Sequence, residues 1–207
     1  MAPKLVFIYF DLPGAGEATR WALVQSGLEW EDKRLSMEQF GELKPILPNG
    51  QVPILEVDGY RLPQSLTIIR YVGRIGGLYP TDDLEAAKCD AFLDFVVDLK
   101  VNYYPAHIEK DEAEKAEMKA EFVAHYLRTW LGNLERALEQ TGGLYFLDKM
   151  TVADIAVANS VWSLKRGSHV TVPPSIFEAY PNLVALTESI LAEPSISDFI
   201  AKTETSK

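Results

Sequence analysis

The chain has 207 residues, with 30 acidic and 20 basic side chains and a formal charge of −10. That balance argues against nucleic acid or a polybasic membrane surface as partner, because phosphate binding needs a basic face. Hydrophobic residues make up 47% and charged residues 24%, which excludes a largely disordered chain.

Leu5 to Phe10 (LVFIYF) is a continuous apolar run of β-formers and predicts a strand buried on both faces. Asp11-Leu12-Pro13-Gly14 predicts a turn. From Ala15 to Gly27 a helix is expected, with Ala18, Ala22 and Leu23 on one face and Gly27 at its C-terminal cap. Trp30 to Leu35 reads as a second strand, and a polar loop then runs to Pro45 and Pro48-Asn49-Gly50. Pro53 to Val57 is a third strand, Asp58-Gly59 a hairpin turn, and Tyr60 to Leu62 the returning strand. Ser65 predicts the cap of a helix with Leu66, Ile69, Val72 and Ile75 inward, ended by Gly76-Gly77.

Beyond Pro80 the pattern is helical throughout. Leu84, Ala87, Ala91, Phe95 and Leu99 recur every three or four residues. Met118, Phe122, Tyr126, Trp130, Leu134 and Leu138 step by four without a break. Thr151-Val152-Ala153-Asp154 resembles a capping box with Asp in place of the usual Glu, opening a helix through Trp162, and Pro181 to Leu191 is a further helix. The expected architecture is an α/β unit (βαβ-ββα) over residues 1–79 and an all-α unit over residues 83–207. The charge divides the same way: residues 1–80 carry nine acids and eight bases, the remainder 21 and 12.

Several residues bear on chemistry. Tyr9 ends a strand that leads into a glycine turn and a helix N-terminus, a setting that favours anions. A phenol there is a neutral donor at pH 7 and could hydrogen-bond a thiolate or oxyanion; it could equally be strand packing. Gly14 to Thr19 falls one residue short of a dinucleotide fingerprint, and the alternating strands and helices of that fold are missing after residue 80. Val52 before Pro53 could offer its backbone to an extended peptide, or Pro53 could simply open an edge strand. Gln64-Ser65 could receive a carboxylate or serve as a plain cap.

Cys89 is alone, so no internal disulfide and no cysteine-pair zinc site can form, and its helix position suits a small buried hydrophobe. His107, His125 and His169 are scattered, and no metal is expected. No apolar run approaches the ~20 residues of a spanning helix, and the N-terminal stretch is too short for a signal peptide. The expected location is cytoplasmic.

Taken together, these segments resemble one family. The Tyr-Phe strand end, Gly14…Glu17…Arg20, the run from Lys44-Pro45 through Leu47-Pro48-Asn49-Gly50-Gln51-Val52-Pro53-Ile54-Leu55, Val57-Asp58-Gly59, Gln64-Ser65 with Ile69-Arg70-Tyr71, and Thr151…Ala153-Asp154 look like the cytosolic glutathione transferases. The tyrosine-type branch fits best, and within it the sigma class with its prostaglandin-D-synthase and S-crystallin relatives. The resemblance implies a thioredoxin-like domain for glutathione, a helical domain contributing an apolar electrophile pocket, a homodimer, and glutathione as co-substrate without metal or nucleotide. It implies Tyr9 as the thiolate stabiliser. Val52 before a cis Pro53, next to Gln51, would pair with the cysteinyl backbone. Gln64 and Ser65 would take the γ-glutamyl carboxylate, and Lys44 beside Phe40 the glycyl carboxylate. Asp98 would reach the γ-glutamyl amine of the partner subunit's glutathione, and Phe10, Leu12 and Tyr104 would line the electrophile pocket.

Two departures stand out: Ala15 replaces an arginine that supports the thiolate in the family, and Phe40 replaces a tryptophan donor. They leave open a weakly active binding or crystallin-like homologue as the alternative. Isomerase or peroxidase side activities are also compatible with the resemblance.

Overall fold

The computed structural model describes residues 2–168 and 170–204, the last of these by its backbone alone. His169 lies outside the described residues. The chain forms two compact units, one of the first 80 residues joined by the segment from Pro194 on, the other Thr81–Glu193.

The first unit is built on a four-stranded sheet in the order β2-β1-β3-β4, made of β1 (Leu5–Phe10), β2 (Trp30–Leu35), β3 (Ile54–Val57) and β4 (Tyr60–Pro63). β1 is central, parallel to β2 and antiparallel to β3, which pairs antiparallel with β4. Its apolar run has the composition of a strand covered on both faces, and Leu5, Phe7, Ile8 and Tyr9 are all buried. The β3 pairing ends at Ile8↔Ile54, so Tyr9 lies just past it. The β3–β4 hairpin turns at Asp58 and Gly59, with φ of 48° and 88°, the left-handed values an Asp-Gly turn supplies.

Helices α1 (Glu17–Gln25) and α3 (Ser65–Ile75) pack on one another. The expected polar loop after β2 instead contains helix α2 (Met37–Leu43). Ser36 and Gln39 form a reciprocal capping box at its start, and none of its residues is buried. The Ser-x-x-Gln signature was present; what was missing was an apolar stripe to draw attention to it. Ser65 is the first residue of α3 rather than its cap. Gln64 holds the cap position with φ 76° and ψ 114° and makes no side-chain capping bond. The inward face of α3 is Ile68, Ile69 and Val72, whereas Ile75 is 37% exposed.

In the second unit α4 (Asp83–Ile108), α5 (Glu112–Glu121), α6 (Arg128–Thr141), α7 (Val152–Lys165) and α8 (Pro181–Ala192) follow in turn. Between α5 and α6 the backbone widens into a π turn over Phe122–Leu127. A row stepping by four overshoots an α-helical turn, by about 40° per step at 3.6 residues per turn. Within i→i+5 bonding four residues fall short of a turn, so part of the drift cancels. Phe122, Trp130, Leu134 and Leu138 of that row are buried. Asp154 caps α7 as the sequence suggested, accepting from the Thr151 N–H (2.7 Å), the Thr151 hydroxyl (2.8 Å) and the Phe146 N–H (2.9 Å).

The final helix, α9 (Pro194–Glu204), packs against α1 and therefore belongs to the first unit, not to the helical one expected over 83–207. Ser195 donates to Gln25 at 2.5 Å, and Phe199 lies beside the Trp30 ring. Helical periodicity alone cannot say which unit a terminal helix joins. Among the described residues no helix is long and apolar enough to cross a membrane.

Candidate active site around Tyr9

Tyr9 is 7% exposed, and its hydroxyl accepts a hydrogen bond from the Ala15 N–H at 3.0 Å. That bond uses a lone pair and leaves the phenolic proton free to be donated elsewhere. Burial pushes the phenol above its ordinary 10.0, while the Ala15 N–H and the Arg20 guanidinium pull it down. The group is thus a neutral donor at physiological pH.

The glycines of the β1–α1 turn explain how the backbone comes so close. A Cβ on Gly14, whose φ is 43°, would sit 2.5 Å from the Tyr9 hydroxyl, and one on Gly16 would sit 2.5 Å from the ring carbon Cδ1. These glycines shape the phenol's pocket rather than a nucleotide loop. Gly16→Ala is expected to push the ring off its position, lowering turnover at least ~10-fold and stability by about 1–3 kcal/mol, as overpacking does. Steady-state kinetics and a thermal melt check both numbers.

Beneath the ring lies Arg20, wholly buried. Its guanidinium donates to the carbonyls of Phe10 and Leu12 (3.0 Å each), to Asp32 (3.1 Å) and to Glu17 (3.3 Å). Its carbon lies 5.6 Å from the Phe7 centroid and 5.7 Å from that of Tyr9. Asp32 also accepts from Arg34 (2.9 Å), which pairs with Asp11 at 2.6 Å. Sequence reading placed Arg20 in a motif without a role. Apart from Glu17 on the same helix, its partners Phe10, Leu12 and Asp32 come from other segments, and no local spacing points to them.

Two of the expected glutathione-site residues, Phe40 and Val52, share a cluster with Phe10 of the expected electrophile pocket. Phe10, Phe40 and Val52 all pack against the core cluster of Ile8, Leu35, Leu47 and Ile54. The Phe10 and Phe40 rings meet edge-on at 5.1 Å, and the Lys44 ammonium lies 5.9 Å from the Phe40 centroid. Phe40 therefore keeps the aromatic platform of a tryptophan while lacking its N–H. The Val52–Pro53 peptide is cis, Pro53 is buried, and Gln51 is exposed beside it. Gln64 is exposed and Ser65 half-buried at the start of α3. Leu12 is 45% exposed on the turn next to Gly14.

Asp98 and Tyr104 lie on α4 of the other unit. Asp98 is exposed, and its carbonyl accepts from the Asn102 amide at 2.9 Å. Tyr104 is 57% exposed, with its ring 6.2 Å from that of His107. Cys89 is fully buried, and burial pushes its thiol up to about 11, so it is the inert hydrophobe its position suggested. Among the described residues no group of three or more His, Cys, Asp or Glu side chains could hold a metal.

A thioredoxin-like first unit bearing a shielded phenol and a mostly helical second unit define a two-unit class of protein. The first unit matches the family model for the glutathione S-transferase N-terminal domain over residues 5–74, and residues 97–203 match that for the glutathione S-transferase C-terminal domain. Glutathione S-transferase 2 of Manduca sexta is 33% identical over 198 residues, covering 96% of both chains. Hematopoietic prostaglandin D synthase of Gallus gallus is 31% identical over 97% of this chain and 96% of its own. The solved glutathione S-transferase of Ascaris lumbricoides superposes with a TM-score of 0.84 at 32% identity, covering 97% and 98% of the two chains. The chain belongs to the glutathione S-transferase family, whose co-substrate is glutathione.

Proposed function

We propose that this protein is a sigma-like glutathione transferase in which Tyr9 keeps its proton and donates a hydrogen bond to the glutathione sulfur, whose own proton leaves to solvent. The thiolate then attacks a small hydrophobic electrophile. The observation that carries this reading is the Tyr9 hydroxyl, buried yet free to donate because Ala15 N–H occupies its acceptor side. A free thiol with a pKa near ~8.5 is only a few per cent ionised at pH 7. A donor aimed at sulfur raises that fraction selectively, because it binds the anion better than the thiol.

Around the phenol, Val52 and Gln51 would hold the cysteinyl backbone, Gln64 and Ser65 the γ-glutamyl carboxylate, and Lys44 on its Phe40 platform the glycyl carboxylate. Asp98 would reach the γ-glutamyl amine of a glutathione held by a second copy, and Phe10, Leu12 and Tyr104 would face the electrophile. Met37, Ile46 and Tyr60, which are 71%, 61% and 70% exposed, are apolar surface that a homodimer would cover. A reducing cytoplasmic setting and a detoxification role complete the proposal.

The test is glutathione binding by calorimetry, together with conjugation to a chromogenic aryl halide. Binding with turnover supports the reading, and absence of binding overturns it. Tight binding with negligible turnover across several electrophile classes would favour the crystallin-like alternative, which Ala15 makes worth testing. Gln64→Ala is expected to raise the KM for glutathione about 10-fold, the loss of one hydrogen bond to a charged group, with kcat little changed.

A further inference from the structure

Three features outside the assigned site could carry a further role. The groove along α5 bordered by Ala116, Ala120, Val123 and Ala124 is a small-residue stripe with surface cations and nothing that points to a ligand. The Asn102, Glu114, Glu117 and Glu121 cluster is acidic surface without an observation of a cation. The chain of charges that reaches from the surface to the underside of Tyr9 is different, because every link in it is a direct contact.

We propose that Arg20 is a positioning residue for Tyr9, and that the Asp32–Arg34–Asp11 chain behind it sets how strongly Arg20 acts. The inference deepens the transferase reading and rests on it for its catalytic meaning, although the coupling of Arg20 to Tyr9 does not. Two separate geometries support it. The first is mechanical. The guanidinium fork holds the carbonyls of Phe10 and Leu12, the two ends of the segment that leads into the Gly14–Gly16 turn. That turn supplies the Ala15 N–H to the phenol and the close backbone against the ring. The second is electrostatic. A cation without solvent exposure, 5.7 Å from the Tyr9 centroid, interacts through a medium that screens far less than water. Arg20 thus places a positive charge at this phenol.

The charged groups packed around the guanidinium are the carboxylates of Glu17 and Asp32. Glu17 is held in turn by the Trp21 indole at 3.3 Å, and Asp32 is shared with Arg34, whose other partner is Asp11 at the surface. Removing a carboxylate from this chain leaves Arg20 less compensated and strengthens its field on the phenol; removing Arg20 abolishes that field.

The test reads Tyr9 itself, so it needs no glutathione. The phenol is titrated by ultraviolet difference spectroscopy, its signal identified as the one lost in Tyr9→Phe. Arg20→Gln should move the midpoint up by about one pH unit, the effect of losing an opposite charge at this range. Arg20→Lys should move it less, keeping charge but not the fork. Should Arg20→Gln not fold, Asp32→Asn decides the matter, since Asp32 is itself part-exposed on the edge strand β2: the midpoint should fall by about half a unit. In the transferase assay the same variants should shift the pH profile of kcat/KM in the same directions while the KM for glutathione stays within about twofold. A Tyr9 midpoint that moves in neither folded variant overturns the proposal. A midpoint that moves in a protein with no conjugating activity leaves the coupling standing and overturns the transferase reading instead.

Discussion

Tyr9→Phe is expected to cost about 50-fold in conjugation rate at pH 6.5 and less than about twofold near pH 9, given thiol pKa values of ~6.5 and ~8.5 with and without the donor. The reasoning is a titration. With the donor in place about half of the bound thiol is ionised at pH 6.5; without it about one per cent is. Near pH 9 most of the thiol ionises in either case. Two units correspond to ~2.7 kcal/mol, which one well-placed hydrogen bond to an anion supplies. Because burial holds the phenol above its ordinary 10.0, its own ionisation does not intrude on this range. The check is a pH-rate profile for both proteins under single-turnover conditions. A loss of equal size at every pH would mean that Tyr9 acts on something other than thiol ionisation.

The largest effect on stability is expected at Asp154. The residue is wholly buried and accepts from three donors on Thr151 and Phe146. Asp154→Ala orphans two buried backbone N–H groups and removes one half of the capping box of α7, whose residues from Val152 to Val161 are all buried. A cost of about 3 kcal/mol follows from the hydrogen-bond and desolvation penalties. In a chain of this length that corresponds to about 6–12 °C in Tm. Urea unfolding and a thermal melt measure it.

The pH dependence carries a sign as well. Burial raises the Asp154 carboxyl above its ordinary 3.8, so the folded state holds the proton more tightly than the unfolded chain. Its contribution is therefore fullest below the ordinary carboxylate pKa and falls as pH climbs through the raised one. The gap in stability between parent and Asp154→Ala should be wider at acid pH than at pH 7.

The elements that the sequence made legible are those whose cause is local. The apolar run of β1, the Asp-Gly hairpin and the Thr151…Asp154 cap each depend on residues within a few positions, and all three formed where expected. Helix α2 escaped notice because its signal was a capping box without a buried stripe. The helical row from Met118 to Leu138 is legible in the sequence, but not the π turn within it. The order of Tyr9, the Val52-Pro53 loop and Gln64-Ser65 was enough to point to the family, since each motif depends on short spacing.

Composition and local pattern thus determined on their own the class of each unit and the position of most strands and helices. What only the tertiary structure decided was which distant residues share an environment. Arg20 and Asp32 are separated by a helix and a loop, and α9 returns from the far end of the chain to pack on α1. The physical reason is that hydrophobic periodicity specifies which face of an element is buried but not what it is buried against. A buried charge, by contrast, is set by the partner it must find, and that partner is chosen by the fold.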